Sequence, residues 1–459
     1  MDANQIWANE EFGDVDLGDE RLNARLRAVA SDSVIAPCGL ITKTVQNRAR
    51  REGCFRLVEN HRVCPGEIAA ATTRAACRRI ASSSKVFVVL DQSSLAFKDP
   101  HRIKGLGPTG SNQGKGTVRG LEVMSALAVD ACGTVQGLVG QDWWVRRDEP
   151  TPNGKGDKRE TPHRESAAWI RSMSSVQASM HAHCPGVRPC FVLDRGGDFY
   201  GVFNTAKHLG NVDVIARAAY NRRLTDGQYL QDVVQKAPVV TKVLRPIRVR
   251  REDGRARYRQ VLLEVRVAKV EALLRRGEKN RGTAKLTVVQ VRSGRRKQPI
   301  CWTLVTTLEV KTAADALAVV DAYCLRWRIE EFHRTWKKGG CDVERSQLGS
   351  VDALVRWATI LAAVAARIER LKTESRKSPN RPARDEFSDD ELQTLLLITG
   401  ERKPAAGIDM TLDEAVFLVA CLGGYGGRSA GPPGSVILGR GMERLLFAVE
   451  VRRRVKGSG

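Results

Sequence analysis

Hydrophobic positions along this chain change their period three times. Up to about residue 70 they recur at helical spacing, with Arg21, Arg25, Arg27, Arg48, Arg50, Arg51 and Arg56 interleaved among them. Between 85 and 220 short β-branched runs alternate with longer amphipathic stretches. Two runs share a form: Val86-Phe-Val-Val-Leu-Asp91 and Cys190-Phe-Val-Leu-Asp194 are apolar throughout and end in an acid followed by polar or glycine residues. Such runs read as strands buried on both faces, each presenting a carboxylate at its C-terminal end. Further strands are predicted at 121–130, at 135–145 and near Arg217, with a helix over 165–181. From about 221 to 310 the pattern turns to strand-like alternation, predicting strands at 242–250, 258–267, 285–291 and 300–310. Basic tips, among them Arg275-Arg276 and Arg295-Arg-Lys297, join these strands into a mostly antiparallel unit. After a predicted linker at 378–385 the chain returns to helical signals. Ser388-Asp-Asp-Glu391 and Thr411-Leu-Asp-Glu414 read as capping boxes, and a Gly/Pro-rich loop precedes a last helix over about 440–455.

One amphipathic stretch carries more chemistry than the rest: Tyr323-Cys-Leu-Arg326-Trp-Arg-Ile-Glu330-Glu-Phe-His-Arg-Thr-Trp-Lys337. At about 100° per residue, Tyr323, Arg326, Glu330 and Lys337 fall within an arc of roughly 60° on one helix, with Arg334 just beyond its edge. Leu325, Ile329, Phe332 and Trp336 cluster opposite, as a core-facing stripe. The exposed face therefore combines a phenol, a carboxylate between cations, and basic charge suited to phosphate. Glu331 points about 100° away from Glu330 and off this face. A solvated surface with i,i+4 ion pairs accounts for the same spacing, so the helix alone does not decide its role.

Charge narrows the choice. The formal net charge of the 459 residues is +23, spread along the chain, and the pI is near 9.9. A polyanionic partner, nucleic acid before any other, is the expectation. No uninterrupted apolar run is long enough to span a bilayer, and Met1-Asp-Ala-Asn-Gln begins too polar for a signal peptide. Eleven scattered cysteines without CxxC pairs point to a reducing compartment. Gly105-Leu-Gly-Pro-Thr-Gly110-Ser-Asn-Gln-Gly114-Lys115 lacks phosphate-loop spacing and reads as a glycine-rich hairpin tip. Two strand-terminal acids and a carboxylate on a cationic helix form a hard-oxygen donor set suited to Mg²⁺ or Mn²⁺. Three carboxylates can hold two such ions across an in-line displacement at phosphorus.

The set Tyr323, Arg326, Glu330, Lys337 has the Y-(2)-R-(3)-E-(6)-K spacing, and the chain resembles the DDE transposases of the bacterial IS-four insertion-sequence group. Asp91 with Gln-Ser-Ser-Leu after it, and Asp194-Arg-Gly-Gly-Asp198, resemble that group's two catalytic aspartates, with Glu330 completing the triad. Leu17-Gly-Asp-Glu-Arg-Leu-Asn-Ala-Arg-Leu26, Gln141-Asp-Trp-Trp-Val-Arg146, Val214-Ile-Ala-Arg217 and Trp302-Thr-Leu-Val-Thr-Thr extend the likeness over most of the chain. The final hundred residues match weakly, and Gly196-Gly197 replaces a bulkier, charged pair.

The resemblance implies an α/β fold with an RNase H-like (retroviral integrase-like) catalytic core and an inserted β-sheet subdomain. A helical N-terminal DNA-binding domain and a helical C-terminal region flank that core. The expected divisions are 1–70 for transposon-end binding, 71–375 for catalysis with the insertion at about 221–310, and 376–459 for dimerisation. Cut-and-paste transposition follows, by nicking, hairpin formation and opening, and strand transfer. Asp91, Asp194 and Glu330 would hold two Mg²⁺ ions, with Mn²⁺ substituting. Tyr323, Arg326, Lys337, Trp302, Arg217, His333, Arg334, Arg21, Arg25 and Arg56 would contact DNA, with Trp302 stacking a flipped base. The partners are double-stranded DNA and a second copy of the chain, and the setting is the bacterial cytoplasm at the nucleoid. A catalytically silent DNA-binding protein, or a structure-selective nuclease on the same fold, would share the basic surface. The intact triad disfavours the first.

Overall fold

A computed structural model describes residues 3–99, 104–109, 118–146, 166–250, 256–275, 281–294, 300–401, 409–428 and 431–457. The glycine-rich tip from Gly110 and the basic tip at Arg295-Arg-Lys297 lie outside them. Ten strands occur among the described residues, in chain order: β1 (Lys85–Lys98), β2 (Gly107–Pro108), β3 (Val118–Val129), β4 (Val135–Trp144), β5 (Arg188–Leu193), β6 (Asp213–Arg217), β7 (Val239–Arg250), β8 (Ala256–Arg275), β9 (Arg281–Ser293) and β10 (Cys301–Thr306). They form one mixed sheet in the order β2-β3-β1-β5-β6-β10-β9-β8-β7, with β4 also paired to β3. β5 and β6 run parallel to β1, and the other pairings are antiparallel. The alternating strands after residue 221 thus continue the first sheet, because β10 pairs with β6 through Leu304 opposite Arg217.

The apolar run of β1 is buried on both faces, which explains why its sequence does not alternate. Val86, Val88 and Leu90 join one core with Phe191 and Leu193, beneath the helices Ser166–His183 and Tyr200–Leu209. Val89 and Leu95 join the other with Val192, Ile329, Phe332 and Trp336. Because side chains alternate along a strand, Asp91 follows Val89 and Asp194 follows Val192 onto this second face. β1 does not stop at Asp91, as the sequence led us to expect. It runs on to Lys98 with β3 as its partner, while pairing with β5 ends at Leu90 opposite Leu193. The two acids therefore sit one residue past the same rung of adjacent parallel strands.

At the centre of the second core lies the helix Val351–Lys377, buried on all sides from Ala353 to Glu369. It also holds the N-terminal helices. Arg356 donates to the carbonyls of Val58 at 3.0 Å and Val63 at 2.6 Å, and Trp357 Nε1 donates to Gly39 O at 2.9 Å. These carbonyls would otherwise be buried without partners, at a cost of about 1–3 kcal/mol each. Both predicted capping boxes are present, at Ser388 with Glu391 and at Thr411 with Glu414.

The stretch from Tyr323 to Lys337 departs from the single helix predicted for it. A helix Ala313–Cys324, opened by a Thr312–Asp315 capping box, is followed by a tightened turn and then the helix Trp327–Arg334. In that turn Leu325, Arg326 and Arg328 each donate to the carbonyl three residues back, at 2.9–3.1 Å. A wide turn, Thr335–Gly339, then carries Lys337. Three-residue hydrogen bonds advance the chain by about 120° per residue, so the four signature residues do not share one ideal helical arc.

Candidate active site

Asp91, Asp194 and Glu330 converge on the sheet face beneath the helix Trp327–Arg334. The Asp91 side chain is mostly covered, and its pKa is raised to about 7. Burial is the main cause, and the nearby charges of Asp194 and Glu330 add to it, while Arg326 and the Gln92 amide act the other way. Asp194 Oδ1 accepts a 2.7 Å hydrogen bond from Gly196 N, which sets the carboxylate at the head of a short turn. Glu330 is 39% exposed, and its Oε1 accepts from Arg326 Nη2 at 3.0 Å. The same guanidinium reaches Asp91 Oδ2 at 4.0 Å. Arg326 thus lies between two of the three acids.

Lys337 binds back onto β1, where its Nζ donates to Ser94 O at 2.7 Å and lies 3.7 Å from Glu344 Oε1. Tyr323 is buried rather than exposed, with its ring edge-on to Trp302 at 5.7 Å. Its hydroxyl has a raised pKa, from burial first, within the fields of Arg326, Arg217 and Asp194. Arg217 ends β6, beside this pair.

Residues 4–63 match the family described as Transposase DNA-binding, and residues 188–366 match the Transposase DDE domain. The chain is a DDE transposase. The second match spans Asp194, Arg217, Trp302 and the whole Tyr323–Lys337 stretch, whereas Asp91 precedes it. Asp91 joins the site through β1–β5 register instead. DDE transposase domains act on DNA with divalent metal ions, and the donor chemistry here fits such an ion. Burial first, with the charges of Asp194 and Glu330 added to it, raises the Asp91 pKa to about 7, a penalty that a hard cation beside the carboxylates would relieve. As placed, no three His, Cys, Asp or Glu among the described residues stand at ligand spacing, and Arg326 bridges Asp91 and Glu330.

Other expected contacts of the transposase are distributed differently. His333, expected on the DNA-facing side, is buried at 7% exposure with Nδ1 3.8 Å from Asp91 Oδ2. Burial, helped by Lys337 and Arg326, lowers its pKa to about 3, so the ring is neutral. Arg334 is exposed over the Trp327 ring at 6.0 Å. Asp198 is buried in an ion pair with Arg222 and also accepts from Ala219 N at 2.6 Å, which ties the turn after Asp194 to the segment after Arg217. In the N-terminal helices, Arg21 pairs with Asp19 and Arg56 with Glu52, both at 2.8 Å. Arg25 crosses Gly53, where a β-carbon would lie 1.6 Å from its Nη1.

Sequence reasoning passed over Glu122 on β3. This buried acid accepts from Ser94 Oγ at 2.7 Å and Gln92 Nε2 at 3.0 Å, and pairs with Arg146 at 3.1 Å. It braces the segment after Asp91. A lone acid in the apolar strand pattern was the available signal.

Proposed function

We propose that this transposase belongs to the IS-four group and moves DNA by cut-and-paste, with Asp91, Asp194 and Glu330 as its catalytic and metal-holding acids. The observation that carries this reading is the pair of acids on adjacent parallel strands, on the face covered by Glu330. Two bound Mg²⁺ ions, or Mn²⁺ in their place, would lower the pKa of the attacking water or 3′-hydroxyl and stabilise the leaving oxygen. The chain's own cations do the positioning. Arg326, between Asp91 and Glu330, can present its planar fork to a phosphate. Lys337, anchored on β1, offers a point charge, while Tyr323 and Arg217 line the same edge. Trp302 would supply the aromatic ring on which a base displaced at the hairpin stacks.

End recognition is assigned to residues 1–70, through Arg21, Arg25 and Arg56. Arg334 belongs to the DNA-facing rim, and His333 acts from beneath the acids. Residues 71–375 form the catalytic unit with its β insertion, and residues 376–459 pair two protomers on DNA. The place of action is the bacterial nucleoid. No helix among the described residues is long and apolar enough to cross a membrane.

Product analysis on end-containing DNA tests this reading. Nicked ends, hairpins and joined products, all dependent on a divalent ion, are expected. Cleavage without joining would mark a structure-selective nuclease, and binding without cleavage a catalytically silent DNA-binding protein.

A further inference from the structure

Asp91 belongs to a row of polar residues that crosses the sheet. Register sets it opposite Ser125 on β3, and sets Ser125 opposite Gln141 on β4. Cross-strand partners share a face, so all three side chains leave the sheet on the side of the helix Trp327–Arg334. His333 hangs from that helix towards Asp91. Trp143, two residues along from Gln141, packs edge-on against Trp336 at 5.7 Å, and the His333 ring lies 6.4 Å from the same tryptophan. Five atoms in this row are buried without a hydrogen-bond partner among the described residues: His333 Nε2, Ser125 Oγ, both amide heteroatoms of Gln141, and Trp143 Nε1.

A dry cluster of that size would be a heavy burden on a marginally stable fold. The set is also chemically complementary. Serine hydroxyl, glutamine amide and indole N–H all donate, whereas Nε2 of a neutral imidazole accepts if Nδ1 carries the proton. Buried polar groups on one face, left without partners, are what a structural water bridges.

We propose that His333, Ser125, Gln141 and Trp143 enclose a buried water beside Asp91, and that this water holds His333 in the Nδ1–H tautomer, aimed at Asp91 Oδ2. The water accepts from the Ser125, Gln141 or Trp143 donors and donates to His333 Nε2. His333 is then a positioning residue, which fixes the orientation of Asp91 from beneath. The 3.8 Å separation is just beyond hydrogen-bond reach, so a small turn of the carboxylate closes it. The inference rests on the reading of Asp91 as a catalytic acid.

The test uses the full chain labelled with ¹⁵N-histidine, free of metal and DNA, with His333→Phe to assign the signals. A neutral Nδ1–H pattern is expected at neutral pH, giving way to mixed tautomers in Ser125→Ala, a change small enough to fold. An Nε2–H ring, or a pattern unmoved by Ser125→Ala, overturns the proposal. Cleavage assays add a second arm. His333→Phe should lose about 10–100-fold in rate with end affinity unchanged. His333→Asn, which keeps a donor at the Nδ1 position, should recover most of that rate, whereas His333→Gln should not. Equal loss in all three folded variants sinks the positioning role. If Asp91→Asn remained active, the catalytic reading would fail while the tautomer result could stand, so the two failures are separable.

Discussion

Glu330 and Glu331 are neighbours on one short helix, yet they live in opposite electrostatic worlds. Glu331 is largely covered, pairs with Arg328 at 2.9 Å and with the buried Lys372 at 3.2 Å, and has a lowered pKa despite its burial. Lys372 in turn meets Glu369 and Ser435, and Glu369 accepts from Thr335 at 2.5 Å. That network bolts the helix Trp327–Arg334 to the helix Val351–Lys377 and to the start of the C-terminal helix. Among the described residues Glu330 has one cationic partner, Arg326, which it shares with Asp91, and its charge adds to the burial that raises the pKa of Asp91. A fully compensated acid holds the fold, and an under-compensated one keeps charge in reserve for an incoming ligand.

The largest expected effect follows from removing that reserve. Asp91→Asn, Asp194→Asn and Glu330→Gln should each reduce strand cleavage by at least about 100-fold, with fold and end binding retained. Gel assays with matched circular dichroism check this, and near-normal cleavage in any one of them would sink its place in the triad. Glu331 variants should behave in the opposite way. Lys372→Met leaves Glu369 and Glu331 without their shared cation and should cost about 3–5 kcal/mol. Glu331→Gln should cost about 1–3 kcal/mol. Cleavage per folded molecule should survive in both. Chemical denaturation against active-site titration reads the two quantities separately.

Hairpin formation is a finer probe of the same face. Trp302→Ala and Arg326→Ala should spare the first nick and slow the hairpin step by roughly 5–150-fold, the equivalent of about 1–3 kcal/mol of base stacking. Because Trp302 also packs on Tyr323, Trp302→Phe is the companion variant: it keeps the packing and should fall in between. Parallel loss of nicking and hairpin in end-labelled time courses would reduce both residues to builders of the site.

What was legible in the sequence followed from burial. Val86–Leu90 and Cys190–Leu193 could be read as strands because both faces are covered, and the acids that end those runs stood out. Register was not legible, yet it is register that puts Asp91 level with Asp194. The helix Val351–Lys377 was missed because burial on all sides erases the amphipathic period. The break after Cys324 was invisible too, since a tightened turn of three-residue hydrogen bonds needs no glycine or proline to mark it. His333 lies one residue beyond the core-facing Phe332, at a phase that spacing alone assigns to neither face. Sequence likewise marked Glu331 only as off-face, although its partner Lys372 lies on an element not foreseen.

The pH dependence of stability offers a quieter test of the uncompensated cluster. The raised pKa of Asp91, about 7 against an ordinary 3.8, means the folded state holds a proton that the unfolded state releases. Below about pH 4 both states are protonated and nothing is lost. As pH rises towards 7 the unfolded chain ionises first, so stability falls progressively, and above 7 the penalty is complete. Without metal, Asp91→Asn should therefore melt a few degrees above the parent at pH 7.5 and equal it at pH 4. Mg²⁺ should raise the melting temperature of the parent more than that of the variant. Superimposable melting curves for the two proteins across this range would refute the assigned strain.

The smallest effect extends the same contrast to the N-terminal helices. Arg21 and Arg56 share their charge with Asp19 and Glu52, whereas Arg25 lies exposed across Gly53. A guanidinium already paired with a carboxylate must give up that pair, or carry it along, when it meets a phosphate. Arg25 has no carboxylate partner among the described residues and releases a counterion at no comparable cost. If these helices contact transposon ends through backbone phosphates, Arg25→Ala should lower the slope of log affinity against log salt by about 1. Arg21→Ala and Arg56→Ala should each lower it by clearly less. Fluorescence anisotropy on end DNA over a salt series measures all three. Equal slopes for the three variants would mean that the local ion pairs do not tune this surface, and would confine the lesson of Glu330 and Glu331 to the catalytic face.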